Sequence, residues 1–164
     1  MTELEKQIAQ QIEQNKNTVK IFWDMDGTFV SMDMCKLDIK YAPGFFYTKR
    51  PINTMLRIVR RFFDLGAETY ILSFCGFNYQ KEDKLKWLED YCGFIKRENI
   101  IIIARKENDV KVADSKQTLK AEYLKDYISE KDIVYLIDDN ESVLLGTKKE
   151  IPYINIVSPI DFIE

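Results

Sequence analysis

The sequence predicts a doubly wound α/β domain, a parallel sheet of about five strands sandwiched between two layers of helices. Three observations carry that prediction. Five short runs, at 19–23, 69–72, 100–104, 133–137 and 153–157, are rich in β-branched or aromatic residues and apolar almost throughout, as strands buried on both faces are. Segments with helical periodicity lie between them, and strand–helix alternation builds a parallel sheet through right-handed crossovers. Three of the five runs lead straight into an acid or a hydroxyl, and in such sheets chemistry gathers at the carboxyl ends of the strands.

Taken in order, residues 2–16 read as a helix in which Leu4, Ile8 and Ile12 recur every fourth position among Glu, Gln and Lys. So narrow an apolar stripe suits a helix lying on the domain surface, with a dimerisation helix, and hence a homodimer, as the alternative. The strand at 19–23 follows, then a stretch at 29–51 whose Pro43-Gly44 pair marks a turn and which forms a flap or minimal cap. The pattern Met55, Ile58, Val59, Phe62, Phe63 makes 53–65 a helix, and Leu85, Trp87, Leu88 and Tyr91 do the same for 80–91. Gly66 and Gly93 sit just past these two, where a left-handed C-cap is expected. Further helices are expected at 118–129 and 141–149. No internal repeat or linker divides the 164 residues, so one domain spans 1–164, with its N-terminal helix within 1–17. A chain of this length buries about 70% of its surface and needs no disulfide or structural metal.

Composition narrows the function. Histidine is absent, which excludes Ser-His-Asp and Cys-His catalysis and histidine-bearing zinc sites. Cys35, Cys75 and Cys92 are widely spaced without a C-x-x-C pair, as buried thiols in a reducing cytoplasm would be. Net charge is −3, which gives no strong nucleic-acid signal and no broad attraction to an anionic membrane. The longest uncharged stretch, 69–80, is 12 residues, too short to cross a bilayer. The acidic N-terminus lacks an apolar signal core, and the expectation is a soluble, cytoplasmic protein.

The acids are phased with the strands. The first run leads into Asp24-Met25-Asp26-Gly27-Thr28, the second into Ser73, and the fourth into Asp138-Asp139-Asn140. If the first and fourth strands are neighbours, Asp24, Asp26, Asp138 and Asp139 converge, and such acids repel unless a divalent cation neutralises them. Oxygen ligands without His or thiolate favour Mg²⁺. Asp24 and Asp26, two apart, leave an extended chain on one face. One can then attack a substrate while the other exchanges a proton with it. Gly27 permits a sharp turn, and Thr28 can hydrogen-bond locally to fix it.

These residues resemble a known family. Asp24-Met25-Asp26-Gly27-Thr28 after an apolar strand is similar to the first motif of the haloacid dehalogenase-like phosphohydrolases, a Rossmann-like fold. Ile71-Leu72-Ser73 resembles their second motif and Leu136-Ile137-Asp138-Asp139 their fourth. Lys120 in Lys120-Ala121-Glu122-Tyr123-Leu124 is the nearest match to the third, with Lys116 its rival. The resemblance implies that Asp24 is the nucleophile and forms an aspartyl-phosphate, while Asp26 is the acid–base and meets the metal through its backbone carbonyl. It further implies that Ser73 and the backbone N–H groups of 74–76 hold the phosphoryl oxygens, that Lys120 neutralises developing charge, and that Asp138 ligates Mg²⁺ with Asp139 in support. Thr28 and Phe74 join Ser73 and Lys120 as substrate-binding residues.

Within that superfamily, Pro43-Gly44-Phe45-Phe46, Pro51 before a helix, and Lys84-Leu85-Lys86-Trp87-Leu88 resemble the 5′(3′)-deoxyribonucleotidase branch. That branch carries a larger helical cap than the 22 residues between Thr28 and Pro51 can build. The implied substrate is a nucleoside 5′-monophosphate. A polynucleotide end or a phosphoprotein in a less covered site, or a binding protein without activity, are the alternatives.

Overall fold

The computed structural model describes residues 1–16, 18–32, 42–107 and 110–163. Cys35, and the part of the expected flap at 33–41, lie outside them. Among the described residues five parallel strands form: β1 (Val19–Trp23), β2 (Glu68–Cys75), β3 (Ile100–Ala104), β4 (Ile133–Ile137) and β5 (Asn155–Val157). They lie in the order β3-β2-β1-β4-β5. The helices are α1 (Glu3–Gln14), α2 (Asn53–Leu65), α3 (Asn78–Cys92), α4 (Leu119–Leu124) and α5 (Glu141–Glu150). This is the three-layer α/β architecture expected, with five strands.

Strand alternation sorts the side chains into two cores. Val19, Ile21 and Trp23 of β1 face α1, α2 and α3, packing with Ile8, Ile12, Ile58, Phe62 and Trp87. Phe22, Val134 and Leu136 face the other way, onto Leu119, Leu124 and Leu144 of α4 and α5. The chain therefore winds outward from β1 over one face, crosses back under the other, and restarts at β4. The switch point, where ligands collect in sheets of this kind, lies between β1 and β4.

Local chemistry explains the element ends. Thr2 caps α1, its hydroxyl accepting from the Glu5 N–H at 3.2 Å. α2 ends at Gly66 with φ +105°, the left-handed cap expected there. Gly93 departs from expectation: it stays right-handed, φ −59°. β2 runs three residues past Leu72, because Ser73, Phe74 and Cys75 continue to pair with Ile102, Ile103 and Ala104. α4 is shorter than expected, breaking into turns after Leu124. Cys75 and Cys92 are both buried, and burial pushes both thiols up. Among the described residues no helix is long and apolar enough to cross a membrane.

At the amino end of the sheet, Asp132 accepts from the Ser129 N–H at 2.7 Å and from Lys20 Nζ at 3.1 Å. Burial works against its charge, but the Ser129 and Lys20 donors outweigh it and hold the carboxyl below its ordinary value. A carboxyl depressed in the folded state stabilises above its unfolded value and loses that contribution as pH falls through the folded one. Asp132→Asn should therefore cost about 1 kcal/mol at pH 7, with the difference shrinking at pH 3. Melting curves at the two pH values check this, and a gap that widens in acid would refute it.

Candidate active site

The strand ends build the site. β1 and β4 pair in register up to Trp23 and Ile137, so Asp24 and Asp138 leave the sheet side by side. The Asp24 N–H donates to the Ile137 carbonyl at 2.9 Å, and the Asp138 N–H to that of Val157 at 3.2 Å. Both acids are buried. Lys120, at the start of α4, reaches up from the opposite core and donates to Asp24 Oδ1 at 2.7 Å and Asp138 Oδ2 at 2.6 Å. It is Lys120 that bridges the two acids, whereas Lys116 is exposed on the cleft wall.

Asp139 completes a group of three. Oxygens of Asp24, Asp138 and Asp139 lie within 4.8 Å of one another. The chain turns through residues 25–30, where the Phe29 N–H donates to the Met25 carbonyl at 2.8 Å. Gly27 takes φ +73° in this turn, and a Cβ there would lie 2.2 Å from Asp139 Oδ2. A bare backbone at 27 is thus what admits the Asp139 carboxylate. Three convergent carboxylates form a hard-oxygen donor set that fits Mg²⁺.

Asp26 takes a different direction from the one its spacing predicts. Its carboxylate is not in the group of three but lies between two lysines, accepting from Lys84 Nζ at 2.6 Å and Lys49 Nζ at 2.7 Å. Lys84 is 2% exposed and also donates to Ser73 Oγ at 2.9 Å and the Phe74 carbonyl at 3.0 Å. All three ammonium protons are therefore committed, and Ser73 can only accept from Lys84. The single Ser73 hydroxyl proton remains for another acceptor.

Two other expectations are corrected. The Gly76 N–H, expected to meet a phosphoryl oxygen, donates to Gln80 Oε1 at 2.8 Å, because α3 satisfies its own first turn with that side chain. Thr28 is fully buried, and its hydroxyl has no partner among the described residues. Its side chain neither fixes the turn nor lines the cleft; the turn is held instead by its backbone N–H, which donates to the Met25 carbonyl at 3.2 Å. Phe74 does line the cleft.

Charge is divided unevenly. Burial pushes the Asp24 carboxyl above its ordinary value; Lys120 opposes this and Asp138 adds to it. Burial also works on Asp26, but the Lys84 and Lys49 ammonium groups outweigh it and hold that carboxyl low. Asp139 is pushed up to about 6, by burial and then by the charges of Asp24 and Asp138. Burial disfavours the Lys120 charge, yet Asp24 and Asp138 override it and keep the ammonium protonated beyond its usual range.

Sequence reasoning assigns no role to Lys84 or Lys49, although Lys84 opens the Lys84-Leu85-Lys86-Trp87-Leu88 motif. Lys84 had a signal: it lies three and four positions before Trp87 and Leu88, on the buried face of α3. A lysine on an apolar face needs a buried acid. Lys49 had none, since it arrives from the flap. There the 3₁₀ turn Phe46–Thr48 is tied to α3 by the Trp87 indole donating to the Lys49 carbonyl at 2.9 Å and the Gly44 N–H donating to Asp83 at 2.7 Å.

The acids open into a cleft of about 390 Å³ with Asp24, Lys120, Asp138 and Asp139 in its floor and Arg105 and Lys116 on its walls. Fold and site together define an α/β protein with an acidic, lysine-bridged centre at the sheet's switch point. No family model and no curated protein matches the chain. Solved structures share its fold. A structure of a Pnkp1/Rnl/Hen1 complex aligns with TM-score 0.64 and 18% identity, over 88% of this chain and 47% of that one. A structure of the Pnkp1/Rnl/Hen1 RNA repair complex aligns with TM-score 0.64 and 19% identity, over 88% and 44%. The chain thus spans less than half the length of the chains it matches, and at this identity the likeness is one of fold.

Proposed function

We propose that the protein is a Mg²⁺-dependent phosphomonoesterase of the haloacid dehalogenase-like type, acting through phospho-Asp24 on the phosphorylated end of a polynucleotide. The observation that carries the chemistry is the Lys120 bridge between Asp24 and Asp138 with Asp139 alongside. An acid paired to a buried cation is a nucleophile held in place, and the same cation offsets charge on a transferring phosphoryl group. Asp24, Asp138 and Asp139 would hold Mg²⁺, and the resemblance adds the Asp26 carbonyl. When bound, the ion supplies positive charge against the phosphoryl oxygens.

The chain's own residues do the rest. An Asp24 carboxylate oxygen forms a bond to phosphorus as the bond to the leaving oxygen breaks. The proton for that oxygen comes from the monoanionic phosphomonoester itself, relayed through Asp26, which Lys84 and Lys49 hold ionised. Asp26 later takes one from the water that hydrolyses the aspartyl-phosphate and passes it to the departing phosphate. The resemblance assigns the Ser73 hydroxyl to a phosphoryl oxygen; Ser73 is buried behind the cleft and accepts from Lys84, which leaves its proton for that use.

The resemblance implied a nucleoside 5′-monophosphate, and the net charge of −3 gave no strong nucleic-acid signal. The substrate proposed here departs from that, supported by two structural neighbours that belong to an RNA repair complex and by the basic walls at Arg105 and Lys116. A phosphatase screen across mononucleotides, phosphorylated oligonucleotides, sugar phosphates and a phosphopeptide, with Mg²⁺ and with EDTA, tests it. The expected result is release of phosphate that stops in EDTA and is fastest on oligonucleotide ends. Turnover that persists in EDTA would remove the metal, and a preference for the phosphopeptide would remove the substrate class.

A further inference from the structure

A second cavity, of about 220 Å³, lies under the flap beside the cleft. Asp26, Phe74 and Arg105 line both. This shared wall fixes how a substrate must lie if the phosphomonoesterase reading holds, on which this inference rests. The phosphoryl group sits at Asp24, and the leaving oxygen faces Asp26. Whatever the leaving oxygen is attached to therefore enters the second cavity.

The second cavity is built for an aromatic group. Phe45, Phe46 and Phe74 line it, with Lys49 and Lys84 at its back. Its volume is below the roughly 300–1,000 Å³ of a pocket that encloses a drug-sized ligand, so it accepts about one ring system and not a length of chain. The lysines are spent on Asp26, and the Asp83 carboxylate on the Gly44 N–H. On the shared wall Arg105 is the remaining cation. It is exposed, has no ion-pair partner among the described residues, and its guanidinium lies 6.0 Å from the centre of the Phe74 ring. Its backbone is fixed, the Arg105 N–H donating to the Cys75 carbonyl at 2.9 Å.

We propose that Phe74 and Arg105 form a reading station for a polynucleotide end, in which the terminal base stacks on Phe74 and Arg105 pairs with the next phosphodiester. Arginine is suited to that group because its planar fork matches two phosphate oxygens at once, and an aromatic face stacks on any base. A mononucleotide has the base but no phosphodiester for Arg105. A phosphorylated serine or threonine has neither.

The test is binding of a fluorescein-labelled trinucleotide carrying a terminal phosphate, read by anisotropy on the full chain in EDTA, with unlabelled mononucleotide as competitor. Forms phosphorylated at the 3′ and at the 5′ end are run in parallel, and a margin on either supports the station. The trinucleotide should bind about tenfold more tightly than the mononucleotide. Arg105→Gln should erase that margin and reduce the salt slope by about one. Phe74→Leu should weaken both ligands. Lys106→Gln, whose ammonium lies over Phe77 instead, removes the same charge next door and should keep the margin. Equal affinities in the unaltered protein, a margin that survives Arg105→Gln, or an equal loss in Lys106→Gln would each overturn the station. An Arg105-dependent margin in a protein that hydrolyses nothing would uphold the station and sink the phosphatase reading. Hydrolysis of p-nitrophenyl phosphate without the margin would do the reverse.

Discussion

Lys120→Met is expected to reduce turnover by about 10³-fold or more and to lower stability by about 3 kcal/mol in EDTA. The first figure follows from the work asked of a cation at a transferring phosphoryl group. The second is the cost of breaking a buried ion pair by removing one partner. Methionine nearly matches the buried lysine stem in volume, but it leaves Asp24 and Asp138 facing each other without the ammonium that bonds both. For a chain of this size the stability loss is a fall in Tm of roughly 10 °C. Mg²⁺ should return part of it, because an ion between the carboxylates replaces some of the missing charge. Turnover within tenfold of the unaltered protein, or a Tm that Mg²⁺ does not move, would contradict the bridge.

The second large effect separates chemistry from stability. Asp24→Asn should abolish turnover, by about 10³-fold or more, since an amide cannot form the acyl phosphate. The fold should survive in EDTA, because Lys120 keeps its bond to Asp138. Burial works against the Asp24 charge and the Lys120 ammonium works for it, so an amide, which removes both, should shift Tm by only a few degrees. Phosphate release and differential scanning calorimetry on one preparation check both halves. An active variant would end the nucleophile assignment, and an inactive one that melts early would leave it unsupported.

How far the sequence could be read depended on what ended each element. β1, β3 and β4 were placed to the residue because each is an apolar run that stops at a charge or a turn. β2 was cut short because Ser73 looks like a stop, yet its hydroxyl is bonded to Lys84 and its backbone stays in the ladder. Polarity ends a strand only where no partner is buried beside it. The acids were legible because backbone geometry alone delivers them: register up to Trp23 and Ile137 leaves Asp24 and Asp138 adjacent. The lysines were harder, since a long stem lets an ammonium arrive from any nearby element. Lys120 was found through a motif and Lys84 was given no role, though both are buried and both bond acids.

Gly27 ties together two loops that are distant in the chain. With Asp139 Oδ2 only 2.2 Å from where its Cβ would stand, any larger residue at 27 must displace the carboxylate at 139 or be accompanied by its loss. Glycine at 27 is favoured by its φ of +73° as well, so relatives that keep the acid at 139 in this place should keep the glycine, while loss of the acid need not change it. The pair offers a way to sort such sequences by whether the third acid of the group is still in place.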